Sequence, residues 1–150
     1  MTAKEYLDQA YSLDRQAALL IAKADKLRDS LYGRAVAFGS TVSGGGESDV
    51  IGATLAKVDE YEQKTKALIV RLIEKRIEIE SVIAKLPDAD QREVLERRYL
   101  LYQPWDSHYD KHTGEYIKGI YESMNFSRRQ VFRLHGEALQ NVALNGIEWH

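Results

Sequence analysis

Cysteine is absent from this 150-residue chain, which excludes disulfides and thiolate metal sites and removes any argument for an oxidising compartment. Proline occurs only at Pro87 and Pro104, and each ends a helical pattern. No uninterrupted apolar run reaches membrane-spanning length, and the opening Met1-Thr2-Ala3-Lys4-Glu5-Tyr6 enters charged amphipathic sequence without a hydrophobic signal core. The expectation is a cytoplasmic protein with no membrane partner. Charge of one sign is missing too. The formal net charge is -2, so a nucleic-acid partner would have to meet a local field. Such a field exists: Asp88, Asp90, Glu93 and Glu96 collect acid in one segment, whereas Arg128, Arg129 and Arg133 collect base in a later one.

What is present is helical patterning, on a length that suits one globular domain or a small domain on a helical stalk. Thr2 and Glu5 have capping-box spacing, and Tyr6, Ala10, Leu13, Ala17, Leu20, Ala24, Leu27 and Leu31 follow in steps of four and three. The small members Ala10, Ala17 and Ala24 allow a partner helix to approach closely. Residues 39–48, with Gly44-Gly45-Gly46, read as a flexible link, and they lack the Lys-Ser or Lys-Thr of a phosphate loop. A second seam runs through Leu55, Val58, Glu62, Thr65, Ile69, Leu72, Arg76, Ile79, Ile83 and Leu86, imperfect at Glu62, Thr65 and Arg76. Residues 1–86 thus form a long helical hairpin or coiled coil. A lone pair of helices leaves an outer stripe to cover, so homo-oligomer formation through these helices is expected.

Residues 87–150 read as a small second domain. Asp88 caps a helix with Gln91 at the box position; Val94, Leu95, Arg98 and Tyr99 lie on its packing side, and Pro104 stops the element. Trp105 is an expected core anchor. The stretch 106–114 has no clean period and reads as a loop or irregular helix. Glu115 to Ser123 can be helical, with Ile117, Ile120, Tyr121 and Met124 inward, and Asn125-Phe126 makes a tight turn. Ser127 then caps a helix whose Gln130 returns the hydrogen bond. Val131, Leu134, Ala138 and Val142 fall on one stripe of that helix, and Arg129, Arg133 and Gln140 on the opposite one. This is the arrangement of a helix-turn-helix.

Together with the opening Met1 to Tyr11, with Val94-Leu95-Glu96-Arg97-Arg98-Tyr99-Leu100 and with Trp105, the block Ser127-Arg128-Arg129-Gln130-Val131-Phe132-Arg133-Leu134-His135-Gly136-Glu137-Ala138-Leu139 resembles a family of small phage and prophage proteins of Gram-positive bacteria. Its members carry a C-terminal domain like region 4 of a sigma-70-type factor and are related to regulators of late phage transcription. The resemblance implies promoter DNA contact and bacterial RNA polymerase as partner. The chain departs from the family in one place: the family's tryptophan leads directly into the first helix of the helix-turn-helix, so either residues 106–114 are an inserted loop or the scaffold helix has been remodelled.

The expectation is therefore an all-α, noncatalytic regulator that binds duplex DNA and needs no cofactor. Arg129 and Arg133 are the candidates for base edges; Arg128 suits phosphate; Gln130 ranks below them because the cap claims its side chain; Gln140 extends the footprint. Phe132 belongs at the domain edge, His135 at the core boundary, and Gly136 suggests close passage of another backbone or of DNA. Two other classes compete. The arginines can simply decorate a solvated face of a structural or adaptor protein, including a DNA-packaging oligomer whose last domain binds protein or nonspecific DNA. His108 and His112, spaced by four beside Asp106 and Asp110, could face a metal only on a regular helix, and the glutamate spacing of a zinc protease is missing, so no metal site is assigned.

Overall fold

The structure, a computed structural model, describes the backbone of residues 1–38 and 45–145, and the side chains of all of these but 34–38 and 45–48. It is 77% helical, an all-α fold. The elements are α1 (Ala3–Leu7), α2 (Gln9–Phe38), α3 (Gly45–Ala84), α4 (Ala89–Leu95) continued by a wider π turn (Glu96–Leu100), β1 (His108–Tyr109), β2 (Tyr116–Ile117), α5 (Ile120–Met124) and α6 (Arg128–Leu144). Two compact units result: Leu13–Leu72, and Met1–Ser12 together with Ile73–His150. The division falls inside α2 and α3 and not at Pro87. Its cause is α1, which buries Ala3, Tyr6 and Leu7 and packs on α6, so the first helix belongs with the final one.

In the unit Leu13–Leu72, side chains of α2 and α3 meet. Leu13, Ala17 and Ala24 are buried on α2, and Val58, Thr65 and Leu72 on α3. The imperfect seam positions have partners. Glu62 ion-pairs with Arg28 of the facing helix. The Thr65 hydroxyl donates to the Tyr61 carbonyl at 2.7 Å, so its burial leaves no unpaired group. Lys23 sits over the Tyr61 ring, 5.9 Å from its centroid. Two seam residues differ from expectation: Leu55 and Ile69 face solvent, and Thr54 and Leu68 are half-buried instead. Both alternatives flank the Val58–Thr65–Leu72 stripe, and a helix turning once per 3.6 residues need not hold the later one inward. The expected flexible link at 39–48 lies outside the described residues as far as position 44; from Gly45 the chain is already helical.

The other unit begins with the Thr2 capping box, in which Glu5 N donates to Thr2 Oγ1 at 3.2 Å and Thr2 N to Glu5 Oε2 at 2.7 Å. Tyr6 is fully buried, with its hydroxyl donating to Glu78 at 2.6 Å. The third irregular seam residue, Arg76, donates to the Leu100 carbonyl at 2.8 Å, satisfying an acceptor at the end of the π turn. Asp88 caps α4 as expected, accepting from Gln91 N at 2.9 Å. Gln91 does not return the bond. Its side chain is buried and accepts instead from Asn141 of α6 at 2.8 Å. Val94, Ile120, Met124 and Val131 form a core against which Trp105, Tyr121, Phe126 and Leu134 pack. Full burial of Val131 and Val142 contributes roughly 1.5–3 kcal/mol each.

Residues 106–117 depart most from expectation. They form a small antiparallel hairpin pairing His108 with Ile117 and Tyr109 with Tyr116, neither loop nor helix. The turn is tied by Asp110 Oδ1, which accepts from His112 N at 2.8 Å and Thr113 N at 2.9 Å, and closes through Gly114 at φ +72°. Those two amides hold the Asp110 carboxyl below its usual range. Gly119 explains why helix does not extend back to Glu115. It has extended backbone angles and no capping side chain, and the first amides of α5 are satisfied by the Pro104 and Trp105 carbonyls. A Cβ at Gly119 would lie 2.5 Å from the Asp106 carbonyl carbon and 2.6 Å from the Trp105 carbonyl oxygen. Only glycine lets the chain fold back this closely.

Candidate nucleic-acid interface

The segment α5–turn–α6 is built from local bonds. Asn125 closes α5 in the left-handed region (φ 54°, ψ 40°), with its N–H on the Glu122 carbonyl and the Phe126 N–H on the Tyr121 carbonyl. Ser127 then starts α6. Gln130 N donates to Ser127 Oγ at 3.2 Å, and Ser127 N donates to Gln130 Oε1 at 2.9 Å. Val131, Ala138 and Val142 are buried and Leu134 half-buried, so the helix is held along one stripe. Arg129, Arg133, Gly136 and Gln140 recur in steps of four and three on the opposite side, and all are exposed. At 1.5 Å per residue this outward row is about 16 Å long.

Arg129 is open to solvent. The Arg133 side chain is 69% exposed, with Nε 3.9 Å from the Glu137 carboxylate, a loose pair that salt would screen. The Arg128 guanidinium lies over the Phe132 ring, 5.5 Å from its centroid, toward the flank of the row. Gln130 is committed to the cap, leaving little of its amide for a base edge. Gln140 is exposed at the far end. A Cβ at Gly136 would meet nothing within 4 Å, so among the described residues no other backbone passes close by.

Sequence reasoning missed how much aromatic surface supports this helix. Phe132 packs 5.2 Å from Trp105 and 5.7 Å edge-on to Tyr121, and His135 meets Trp105 edge-on at 4.9 Å. The Arg98 guanidinium covers Trp105 at 4.8 Å. His135 Nε2 and the Tyr99 hydroxyl are 2.8 Å apart, joining α6 to the π turn. Burial, with Lys4 and Arg98 adding to it, pushes the His135 pKa down to about 4, so at neutral pH the imidazole is uncharged. Burial likewise raises the Tyr99 phenol. The hairpin is anchored to α5 by Glu122, whose Oε2 accepts from Ser107 and Tyr116 hydroxyls at 2.5 Å each; these bonds lower its pKa. No sequence signal marks that trio, because its members meet only through the hairpin.

Among the described residues no group of three or more His, Asp or Glu side chains could hold a metal. His108 lies on β1 and His112 in the turn, so no helix aligns them. No described helix is long and apolar enough to cross a membrane. No family model, curated protein or solved structure matches the chain.

Proposed function

We propose that this chain is a sequence-specific duplex-DNA-binding protein of phage or prophage transcription regulation, acting without catalysis, in contact with bacterial RNA polymerase, and as a homo-oligomer paired through its long helices. One observation carries the DNA reading. A helix started by a reciprocal capping box and sealed along one stripe by the core turns Arg129 and Arg133 outward one turn apart. Spacing of this kind suits guanidinium contact with purine edges in a major groove, and Arg128 at the flank suits phosphate. Polymerase and the phage setting rest on the family resemblance of the sequence. Pairing rests on the solvent-facing Leu55 and Ile69 of α3.

A second reading, a helical adaptor or packaging oligomer, draws on the same exposed apolar residues. One experiment separates the two: selection from random duplexes followed by binding across a salt series. Direct readout requires an enriched site. Arg129→Ala and Arg133→Ala should each weaken binding to it by about tenfold to a hundredfold and blur discrimination at one base pair. Arg128→Ala should weaken all sequences alike and reduce the salt slope by about one. If no site is enriched and the arginine variants bind as the parent does, the adaptor reading stands.

A further inference from the structure

Phe132 is a partly exposed apolar ring at the border of the outward row of α6. It remains 40% exposed although Trp105, Tyr121 and the Arg128 guanidinium all contact it. A phenylalanine needed only for packing gains from further burial, whereas this one is fixed in place with part of its ring presented to solvent. Its position along α6 matters. Arg129 lies three residues before it and Gly136 four residues after, so Phe132 borders the outward row. At Gly136 the helix surface carries no side chain, and no atom of the described residues beyond the helix's own backbone comes within 4 Å of where a Cβ would stand. A ligand wall can therefore come close to the helix beside Phe132.

In the major groove each base pair presents hydrogen-bonding groups, and the apolar feature among them is the thymine 5-methyl group. A ring already immobilised by its neighbours loses little conformational freedom on meeting it. We infer that Phe132 is a specificity-determining residue that reads a thymine methyl group next to the base contacted by Arg129. The inference rests on the DNA-binding reading of α6 and adds to it an apolar element of readout beside the arginines.

The test uses the full chain and its selected duplex, replacing thymines one at a time by deoxyuridine, which deletes the methyl and leaves every hydrogen-bonding group. The parent protein should lose about threefold to tenfold in affinity at one position. Phe132→Ala should bind the thymine duplex correspondingly more weakly and become indifferent to that replacement, while Phe132→Leu retains part of the discrimination. Helical content and melting temperature of each variant guard against misfolding, and the parent measured on deoxyuridine duplexes needs no variant. Indifference of the parent to every replacement, with Arg129→Ala still impaired, overturns the role of Phe132 and leaves the DNA reading intact. Equal sensitivity of parent and Phe132→Ala assigns the methyl to another group and also overturns it. Absence of any selected duplex overturns both.

Discussion

At the scale of single residues, His135 and the two glycines flanking α5 and within α6 give the sharpest expectations. The folded imidazole titrates at about 4, against 6.5 for an unperturbed histidine. Between those values the unfolded chain takes up a proton that the folded chain refuses. Stability therefore falls as pH drops from 6.5 toward 4 and this contribution levels off below. The loss should be on the order of 1 kcal/mol, because solvent still reaches part of the ring. Thermal unfolding across that pH range checks it, and His135→Gln should flatten the slope. Gly119 and Gly136 look alike in sequence but differ in surroundings. Gly119→Ala drives a Cβ into backbone atoms of Trp105 and Asp106 and should cost about 2 kcal/mol or more. Gly136→Ala, with open space and a helical backbone, should stabilise by about 1 kcal/mol. Urea unfolding of the two variants should move in opposite directions.

At the scale of elements, the caps and stripes of the helices were legible and the hairpin was not. Thr2, Asp88 and Ser127 cap as their local sequence indicates, since an N-cap depends on residues three apart. Ser127→Ala should cost α6 about 1 kcal/mol, visible as a lower unfolding midpoint, and Gln130→Ala should cost less because Ser127 still accepts from the Gln130 amide. Along α1 and α2 the expected seam from Tyr6 to Leu31 is buried or half-buried at every position. On α3 the seam shifts by one residue at Leu55 and Ile69, where flanking positions compete for one groove. Residues 106–117 carry no period because each strand is only two residues long, and the pairing is set by the Asp110 turn and by Glu122 from another element. Of the candidate interface, the outward arginines were readable from the helical repeat. Trp105 as a core anchor and Tyr121 as an inward residue were readable too, and both pack on the core, but their meeting with Phe132 was not, since it depends on how the chain returns through Gly119.

At the scale of the whole molecule, self-association through α3 is the open consequence of the proposed function. Leu55 and Ile69 are 54% and 38% exposed, so replacing both by glutamate costs the single chain little. If copies pair through this face, Leu55→Glu with Ile69→Glu should lower the mass measured by light scattering to that of one chain while helical circular dichroism stays unchanged. A parent already at the mass of one chain would count against pairing. The sequence by itself determined the all-α class, the N-caps at Thr2, Asp88 and Ser127 and the two stripes of α6, because these follow from a 3.6-residue repeat and from bonds spanning three or four positions. Tertiary structure alone decided that α1 packs on α6, that Gln91 leaves its cap for Asn141, and that Phe132 is held beside the outward row by Trp105 and Tyr121. The Gln91–Asn141 bond joins residues 50 positions apart, and burying an unpaired amide costs more than forgoing one side of a capping box. No local pattern encodes that balance, because it exists only once the elements meet.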